Sequence, residues 1–329
     1  MLTITMNILF SIHLYPPQHL CGAEMMAHRI IKHLQSKGHH VRVLLHQANH
    51  YKITNNYCYD GVDVFPPNAN VIDGLFRWSH AVFTHLDYTR WSIGTSAMYK
   101  KPLFHLIHNT HLYPEIHNAE TYQHIVYNSK WAKDKLGYKW SNFILTPPTD
   151  FRDFDIDVDS ADNEYITLIN LNENKGGKIF EEIAKEMPHK KFLGVQGSYD
   201  DQIMAKFPNI TYINKTANIL DVYKQTRILL MPSAYESWGM TATEAMCCGI
   251  PVISSEAEGL KENCGKAGIF IKDRNDIKSW VNEINKLDDA KAYAAASRKV
   301  KARGREHDPR KALDEFETWF RENVNRYNN

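Results

Sequence analysis

The chain is 329 residues long and 43% hydrophobic, enough for one large or two medium domains with substantial cores. Its charge is balanced at 39 basic against 38 acidic residues, which excludes a global field that would steer it to nucleic acid or acidic lipid. No apolar run reaches the roughly 18 residues of a membrane span, and residues 1–6 lack the basic start and cleavage site of a signal peptide. Cys21, Cys58, Cys247, Cys248 and Cys264 are odd in number and show no metal-like spacing, so a reducing, cytoplasmic location is expected.

Residues 6–12 read as a first strand, followed by a loop that contains Pro16 and Pro17. Gly22 opens a helix whose apolar positions Met26, Ala27, Ile30, Ile31 and Leu34 repeat with helical period, and Gly38 can end it. With the next strand at 41–45 this makes a βαβ start, which implies a parallel sheet with helices on its faces. Gly-x-Gly-x-x-Gly is absent after the first strand, so an NAD enzyme is disfavoured. Residues 49–56 are polar loop, 57–65 a short strand or hairpin around Asp60 and Gly61, 81–85 a strand, 93–99 a helix and 102–108 another strand. His105, His108 and His111 recur at every third position, but they run across a strand end and the following loop, which argues against a zinc site. Residues 124–131 are a strand leading into a helix capped by Ser129, and Lys130, Lys133, Lys135 and Lys139 read as a solvated face rather than a nucleic-acid patch. After a strand at 143–145, Pro147 and Pro148 make a stiff connection, taken as the interdomain hinge.

The acidic stretch 151–164 reads as a solvated linker. A strand at 165–170 leads to Leu171-Asn172-Glu173-Asn174-Lys175-Gly176-Gly177 and a helix through Met187; the glycine and Lys-Ser/Thr pattern of a Walker loop is missing. Strands at 192–197 and 209–213 and a short helix near Asp221 precede a buried strand at 227–230. Then comes Met231-Pro232-Ser233-Ala234-Tyr235-Glu236-Ser237-Trp238-Gly239, a helix at 240–248 and a strand at 251–254. A strand, a loop holding Glu236, a glycine and a helix whose first turns hold Glu244 make a ligand-binding layout. The free N–H groups and positive end of the helix near Met240 and Thr241 suit a diphosphate, and Gly239 permits its close approach. Carboxylates such as Glu236 and Glu244 suit sugar hydroxyls, because each accepts two donors at once. A strand at 268–271 and helices at 277–287, 289–303 and 310–325 complete the chain; the last helix carries Leu313, Phe316, Trp319 and Phe320 at core-packing spacing.

Glu236 and Glu244, spaced Glu-x7-Glu within Ser-x-x-Glu-x-x-Gly-x-x-x-x-Glu-Ala, resemble the signature of the retaining nucleotide-sugar glycosyltransferases of family 4. The resemblance implies the GT-B fold, two Rossmann-like α/β domains facing across a cleft: an acceptor-side domain at 1–148, a donor domain at 149–308, and a helix at 309–329 that packs back on the first domain. It puts Glu244 on the nucleotide ribose and Glu236 on the transferred sugar. Lys175 and the N–H groups near Gly239, Met240 and Thr241 go on the diphosphate. Gly22 falls in the family's N-terminal glycine loop, with Cys21 where many relatives have a second glycine, and His108 matches the active-site histidine that faces the sugar. A neutral imidazole there can donate to a hydroxyl without a fixed charge. Many relatives carry an arginine shortly before the lysine; here the neutral Asn170 stands in that space. Asn128-Ser129 resembles the family's Asn-Ser pair, and residues 258–262 loosely match its Gly-x-x-Glu turn. The family retains anomeric configuration, needs no metal or cofactor beyond the nucleotide diphosphate sugar as donor, and uses no protein nucleophile, unlike the carboxylate pairs of glycosidases.

The expected partners are therefore a nucleotide sugar and a glycan or lipid-linked saccharide acceptor, with peripheral membrane contact; charge gives no support for nucleic acid. The alternative acceptors are a modified DNA base and a small molecule. A hydrolysing epimerase and a non-catalytic sugar-nucleotide-binding protein share the fold, whereas a phosphorylase needs a pyridoxal-lysine motif that is not recognisable here.

Overall fold

A computed structural model describes residues 5–119, 122–156, 159–216 and 218–328, so the leader reading at 1–6 falls mostly outside the described residues. The chain separates into two compact units, Met1–Pro148 with Arg310–Asn329, and Thr149–Pro309.

The first unit runs β1 (Asn7–Ile12), α1 (Gly22–Ser36), β2 (His40–Leu45), β3 (Tyr57–Tyr59), β4 (Val62–Phe65), α2 (Ala69–Trp78), β5 (Ala81–His85), α3 (Thr89–Met98), β6 (Leu103–Ile107), α4 (Pro114–Asn118), β7 (Gln123–Tyr127), α5 (Lys130–Leu136) and β8 (Ser141–Ile144). Its sheet has eight strands in the order β3-β4-β2-β1-β5-β6-β7-β8, parallel except for the β3–β4 hairpin. Alternation along β1 assigns its two faces: Ile8, Phe10 and Ile12 enter the core beneath α1, and Leu9 packs with Leu75 and Phe76 of α2. Helix α2 is absent from the sequence reading. Asn68 caps it by accepting from the Val71 N–H at 3.0 Å, but Gly74 and a short apolar stripe hide its period.

The second unit runs β9 (Tyr165–Ile169), α6 (Gly177–Glu186), β10 (Lys191–Val195), β11 (Ile210–Ile213), α7 (Leu220–Tyr223), β12 (Thr226–Met231), α8 (Met240–Cys247), β13 (Val252–Ser255), α9 (Glu258–Cys264), β14 (Ile269–Ile271), α10 (Ile277–Lys286) and α11 (Ala290–Glu306). Its six strands are ordered β11-β10-β9-β12-β13-β14, all parallel. Along β12, Ile228 and Leu230 face the core under α6 and α10, while Leu229 and Met231 face the core under α8. In both sheets the strand order reverses beside a central pair, β1 with β5 and β9 with β12. Ligands of open α/β sheets bind outside the carboxyl ends of such pairs.

Two sequence readings are corrected. The acidic stretch 151–164 is no solvated linker: Phe154 is buried against Tyr223 and Met246, and Ser160 is buried under Tyr293. Apolar residues interleave with the aspartates, and Asp150 and Asp159 are used to cap short 3-10 turns at Phe151–Phe154 and Ser160–Asp162. Residues 258–262 lie in helix α9 rather than a turn. Gly259 serves packing there, because a Cβ would collide with the backbone of Glu236 and Ser237.

The last helix, α12 (Arg310–Asn328), belongs to the first unit. Leu313, Phe316, Phe320 and Val324 enter the same core as β1 and α1, and Phe320 lies 5.4 Å from Phe83 and 5.0 Å from Phe104 between ring centroids. Glu317 pins the helix at 3.0 Å from His39 Nε2, whose Nδ1 accepts the Met6 N–H at 3.1 Å. We expect Phe320→Ala to cost about 3–5 kcal/mol in urea denaturation of the first unit; a loss below about 1 kcal/mol would show that α12 is dispensable to this core.

Candidate functional site

The carboxyl ends of β9 and β12 carry two loops that are laced together. Ala234 N–H donates to the Asn174 carbonyl at 2.7 Å, and Asn174 Nδ2 donates to the Tyr235 carbonyl at 3.3 Å. Gly176 makes the approach possible: its φ of +87° suits glycine, and a Cβ would meet Pro232 at 2.7 Å. Across this seam Lys175 Nζ forms an ion pair with Glu236 Oε1, which also accepts from Ser233 Oγ at 3.2 Å. Burial works against the Lys175 charge, but Glu236 and Tyr199 outweigh it and raise the ammonium pKa above its ordinary value. The Lys175 backbone N–H is itself held by Asn172 Oδ1 at 2.8 Å.

Glu244 is buried on α8, and Tyr223 OH donates to its Oε2 at 2.9 Å. Gly239 starts α8 with φ +87°, packed so closely on Leu260 that a Cβ would lie 2.6 Å from its Cδ2. Its carbonyl accepts from Asn263 Nδ2 at 2.9 Å, which fixes the loop before the helix. Met240 and Thr241 form the first turn, half-buried, with Thr241 Oγ1 on Met231 Sδ at 3.3 Å. Asn170 ends β9 in left-handed backbone with φ +69°, and its Oδ1 accepts from Gln202 Nε2 at 3.1 Å. Gln202 Oε1 accepts the N–H groups of Leu171 and Gly197, both at 2.8 Å. Asn170 is thus a loop-shaping residue, held by Gln202 from 32 residues away, beyond the reach of any local sequence pattern. A cation does reach this loop: Arg274 Nη2 donates to the Glu173 carbonyl at 3.4 Å, from beyond β14. Glu236, Glu244, Lys175, Asn170, Gly239, Met240 and Thr241 therefore share one end of the second unit's sheet.

His108 and Gly22 lie in the first unit. Gly22 is exposed in the first turn of α1, behind Cys21 at the N-cap. His108 follows β6 and joins a chain of imidazoles at the carboxyl ends of β1, β5 and β6. His108 Nε2 is 3.0 Å from His85 Nδ1, and His85 Nε2 is 3.1 Å from His13 Nδ1. His13 Nε2 lies 3.2 Å from Glu24 Oε1, whose carboxyl is pushed up to about 7 by burial. Burial, then the nearby His13, pushes His108 down to about 3, so the ring is neutral at physiological pH. His111 is exposed, and His105 is buried on Gln123, so the three histidines do not converge. Among the described residues, two sets bring metal-type ligand atoms within 4.8 Å of one another: His13, Glu24 and His85, and His19, Cys21 and Glu24. The first set is hidden from the sequence because the loop from β1 to α1 and the end of β5 meet only in the fold; the second is local, His-x-Cys-x-x-Glu, and escapes a reading that weighs only the spacing of the cysteines. Lys130 of α5 pairs with Asp134, which offsets one charge of the lysine face, and Lys139 lies 5.0 Å over the Trp140 ring.

Comparison with known proteins fits the second unit. Residues 204–306 match the family model described as Glycosyl transferases group 1. A D-inositol 3-phosphate glycosyltransferase of Corynebacterium jeikeium is 35% identical over 71 residues, which is 21% of this chain and 17% of that protein. The O-antigen chain mannosyltransferase B of Escherichia coli is 41% identical over 56 residues, 17% of this chain and 14% of that protein. The matched stretch thus spans less than a fifth of either relative. The likeness to solved structures covers the whole fold. Sucrose-phosphate synthase from Thermosynechococcus elongatus superposes with a TM-score of 0.76 at 15% identity, over 96% of this chain and 98% of that chain. Anabaena HepE in complex with UDP-glucose gives 0.73 at 16% identity, over 94% and 97%. The chain has the GT-B fold, two parallel-sheet α/β domains.

Four histidines, two buried and two half-buried, make acid stability a test of the first unit. Burial pushes His46 and His108 down to about 3, and His105 and His124 down to about 4. Each takes a proton near pH 6.5 once unfolded, so unfolding takes up protons and stability falls as pH drops from about 6.5 to 4. We expect the unfolding free energy to fall by about 4–8 kcal/mol between pH 7 and 5, at about 1.4 kcal/mol per proton per pH unit. A flat profile in urea titrations would show that these rings are not held neutral.

Proposed function

We propose that the protein is a retaining glycosyltransferase of family 4 that moves a hexose from a nucleotide diphosphate sugar to an acceptor hydroxyl of a glycan or lipid-linked saccharide. The observation that carries this reading is the pair of buried, separately held carboxylates on either side of the α8 start, Glu236 on Lys175 and Ser233, Glu244 on Tyr223. Neither is free to swing, so each presents lone pairs in a fixed direction, as recognition of two different sets of hydroxyls requires.

In this account Glu244 accepts from the ribose hydroxyls and Glu236 from hydroxyls of the transferred sugar. Gly239, Met240 and Thr241 offer backbone N–H groups and the positive end of α8 to the diphosphate. Lys175 is shared between Glu236 and the phosphate, where its charge offsets what develops as the leaving group departs. Arg274 adds positive charge beside the same loop, which answers the missing arginine before Lys175. Attack comes from the face the phosphate leaves, and a phosphate oxygen takes the acceptor proton, so no protein nucleophile and no metal enter the transfer step. In the first unit, Gly22 belongs to the loop assigned to the diphosphate and acceptor, and neutral His108 is the hydrogen-bond partner assigned to the sugar. The UDP-glucose complex of Anabaena HepE makes UDP-sugars the first donors to try, and the inositol phosphate and O-antigen activities of the short-range relatives make polyols and saccharides the first acceptors.

Steady-state kinetics with UDP-sugars and a saccharide panel test the assignment. Glu244→Ala is expected to raise the donor KM at least tenfold, a loss of about 1.4 kcal/mol. Glu236→Ala is expected to lower kcat about a hundredfold. Tyr223→Phe, which removes one hydrogen bond to Glu244 and keeps the carboxylate, is expected to raise the donor KM about fivefold, near 1 kcal/mol. Unchanged kinetics in both glutamate variants would overturn the site, and nucleotide binding without transfer to any acceptor would favour a non-catalytic sugar-nucleotide-binding protein.

A further inference from the structure

We propose that the loop entering α1 is a zinc site, with His19 Nε2, Cys21 Sγ and Glu24 Oε2 as its three protein ligands. It goes beyond the transfer chemistry and lies wholly in the first unit. The starting observation is an orphan: Glu24 is 1% exposed, and among the described residues its Oε2 has no hydrogen-bond partner. A buried carboxylate oxygen left unmatched is costly, and burial of such a group normally goes with a cation or a set of donors.

The neighbours of that oxygen suit a cation. His19 Nε2 lies 3.8 Å from Glu24 Oε2, too far for a hydrogen bond. The Cys21, His19 and Glu24 ligand atoms all fall within 4.8 Å of one another. Ligand atoms of a tetrahedral zinc stand about 3.3–3.6 Å apart, so the set needs to close by only a few tenths of an ångström to about 1 Å. A thiolate with an imidazole selects zinc over calcium or magnesium, which take oxygen shells.

The outer contacts are those a zinc site requires. His19 turns its other nitrogen, Nδ1, to Tyr51 OH at 3.2 Å, which directs Nε2 to the metal. The second carboxylate oxygen, Oε1, is 3.2 Å from His13 Nε2, so a ring N–H there steadies Glu24 while Oε2 binds. The rival set of His13, Glu24 and His85 is already committed, because His13 Nδ1 and His85 Nε2 are 3.1 Å apart on each other. His-x-Cys-x-x-Glu therefore ties the proline loop to the first turn of α1 and leaves a fourth zinc position for water or an anionic oxygen.

The test needs neither donor nor acceptor, so it fails or succeeds independently of the proposed transfer activity. Full-length protein loaded with zinc and dialysed is counted by elemental analysis, and cobalt is substituted to read the thiolate-to-metal absorption band. We expect one zinc per chain and a cobalt band that vanishes in Cys21→Ser but persists in Cys58→Ser, Cys58 being the exposed thiol. Tyr51→Phe, which keeps every ligand, is expected to weaken zinc about tenfold or more. Circular dichroism of each variant separates lost zinc from lost folding. No stoichiometric zinc in the wild type, or a cobalt band that survives Cys21→Ser, would overturn the proposal.

Discussion

The second unit is organised by the seam between the loops after β9 and β12, and the Lys175–Glu236 ion pair closes it. Neither charge could stay buried alone: an uncompensated buried ion costs several kcal/mol, while the pair satisfies both. Around it the sequence supplies a backbone lacing at Asn174 and Ala234, a glycine at 176 that lets Pro232 approach, and a hydroxyl from Ser233 on the same carboxylate. The seam sits at the strand pair where the sheet order reverses, and the second unit's candidate site residues, from Asn170 to Glu244, are hung on its two loops or on the helix that follows.

The first unit uses the same position differently. Its reversal pair, β1 and β5, ends in His13 and His85, and β6 adds His108. Desolvation keeps these imidazoles neutral, so they offer hydrogen-bonding groups without charge, in contrast to the Lys175–Glu236 ion pair of the second unit. Beside them Glu24 Oε2 is buried with no hydrogen-bond partner among the described residues, which is where the zinc inference begins.

What the sequence made legible follows from range. Strands of buried parallel sheets are apolar runs, and residues 6–12, 81–85 and 227–230 announced themselves that way. Glu236, Gly239 and Glu244 could be singled out as candidates because they lie within a single strand–loop–helix passage. Helix α2 was missed because Gly74 and a short stripe dilute its period, and the aspartates of 151–164 hid Phe154 and Ser160, which the fold buries. The partners that hold the site were beyond reach for a different reason: Tyr223 meets Glu244 across 21 residues, Gln202 meets Asn170 across 32, and Arg274 meets Glu173 across 101. Such contacts are set by sheet order, and no local pattern encodes it. Arg274 was out of reach of the linear reading for the same reason, since it arrives at the loop from beyond the edge strand β14.

The central claim is that the loops around Glu236 and Glu244 hold a nucleoside diphosphate. The most direct measurement is isothermal calorimetry of the wild-type chain with UDP, GDP, ADP and dTDP in turn, without metal. The account predicts saturable one-to-one binding by one of them, with UDP first in order, and little heat from the rest. No binding by any of the four would contradict it, and would mean that the Lys175–Glu236 pair closes the seam as a purely structural bond.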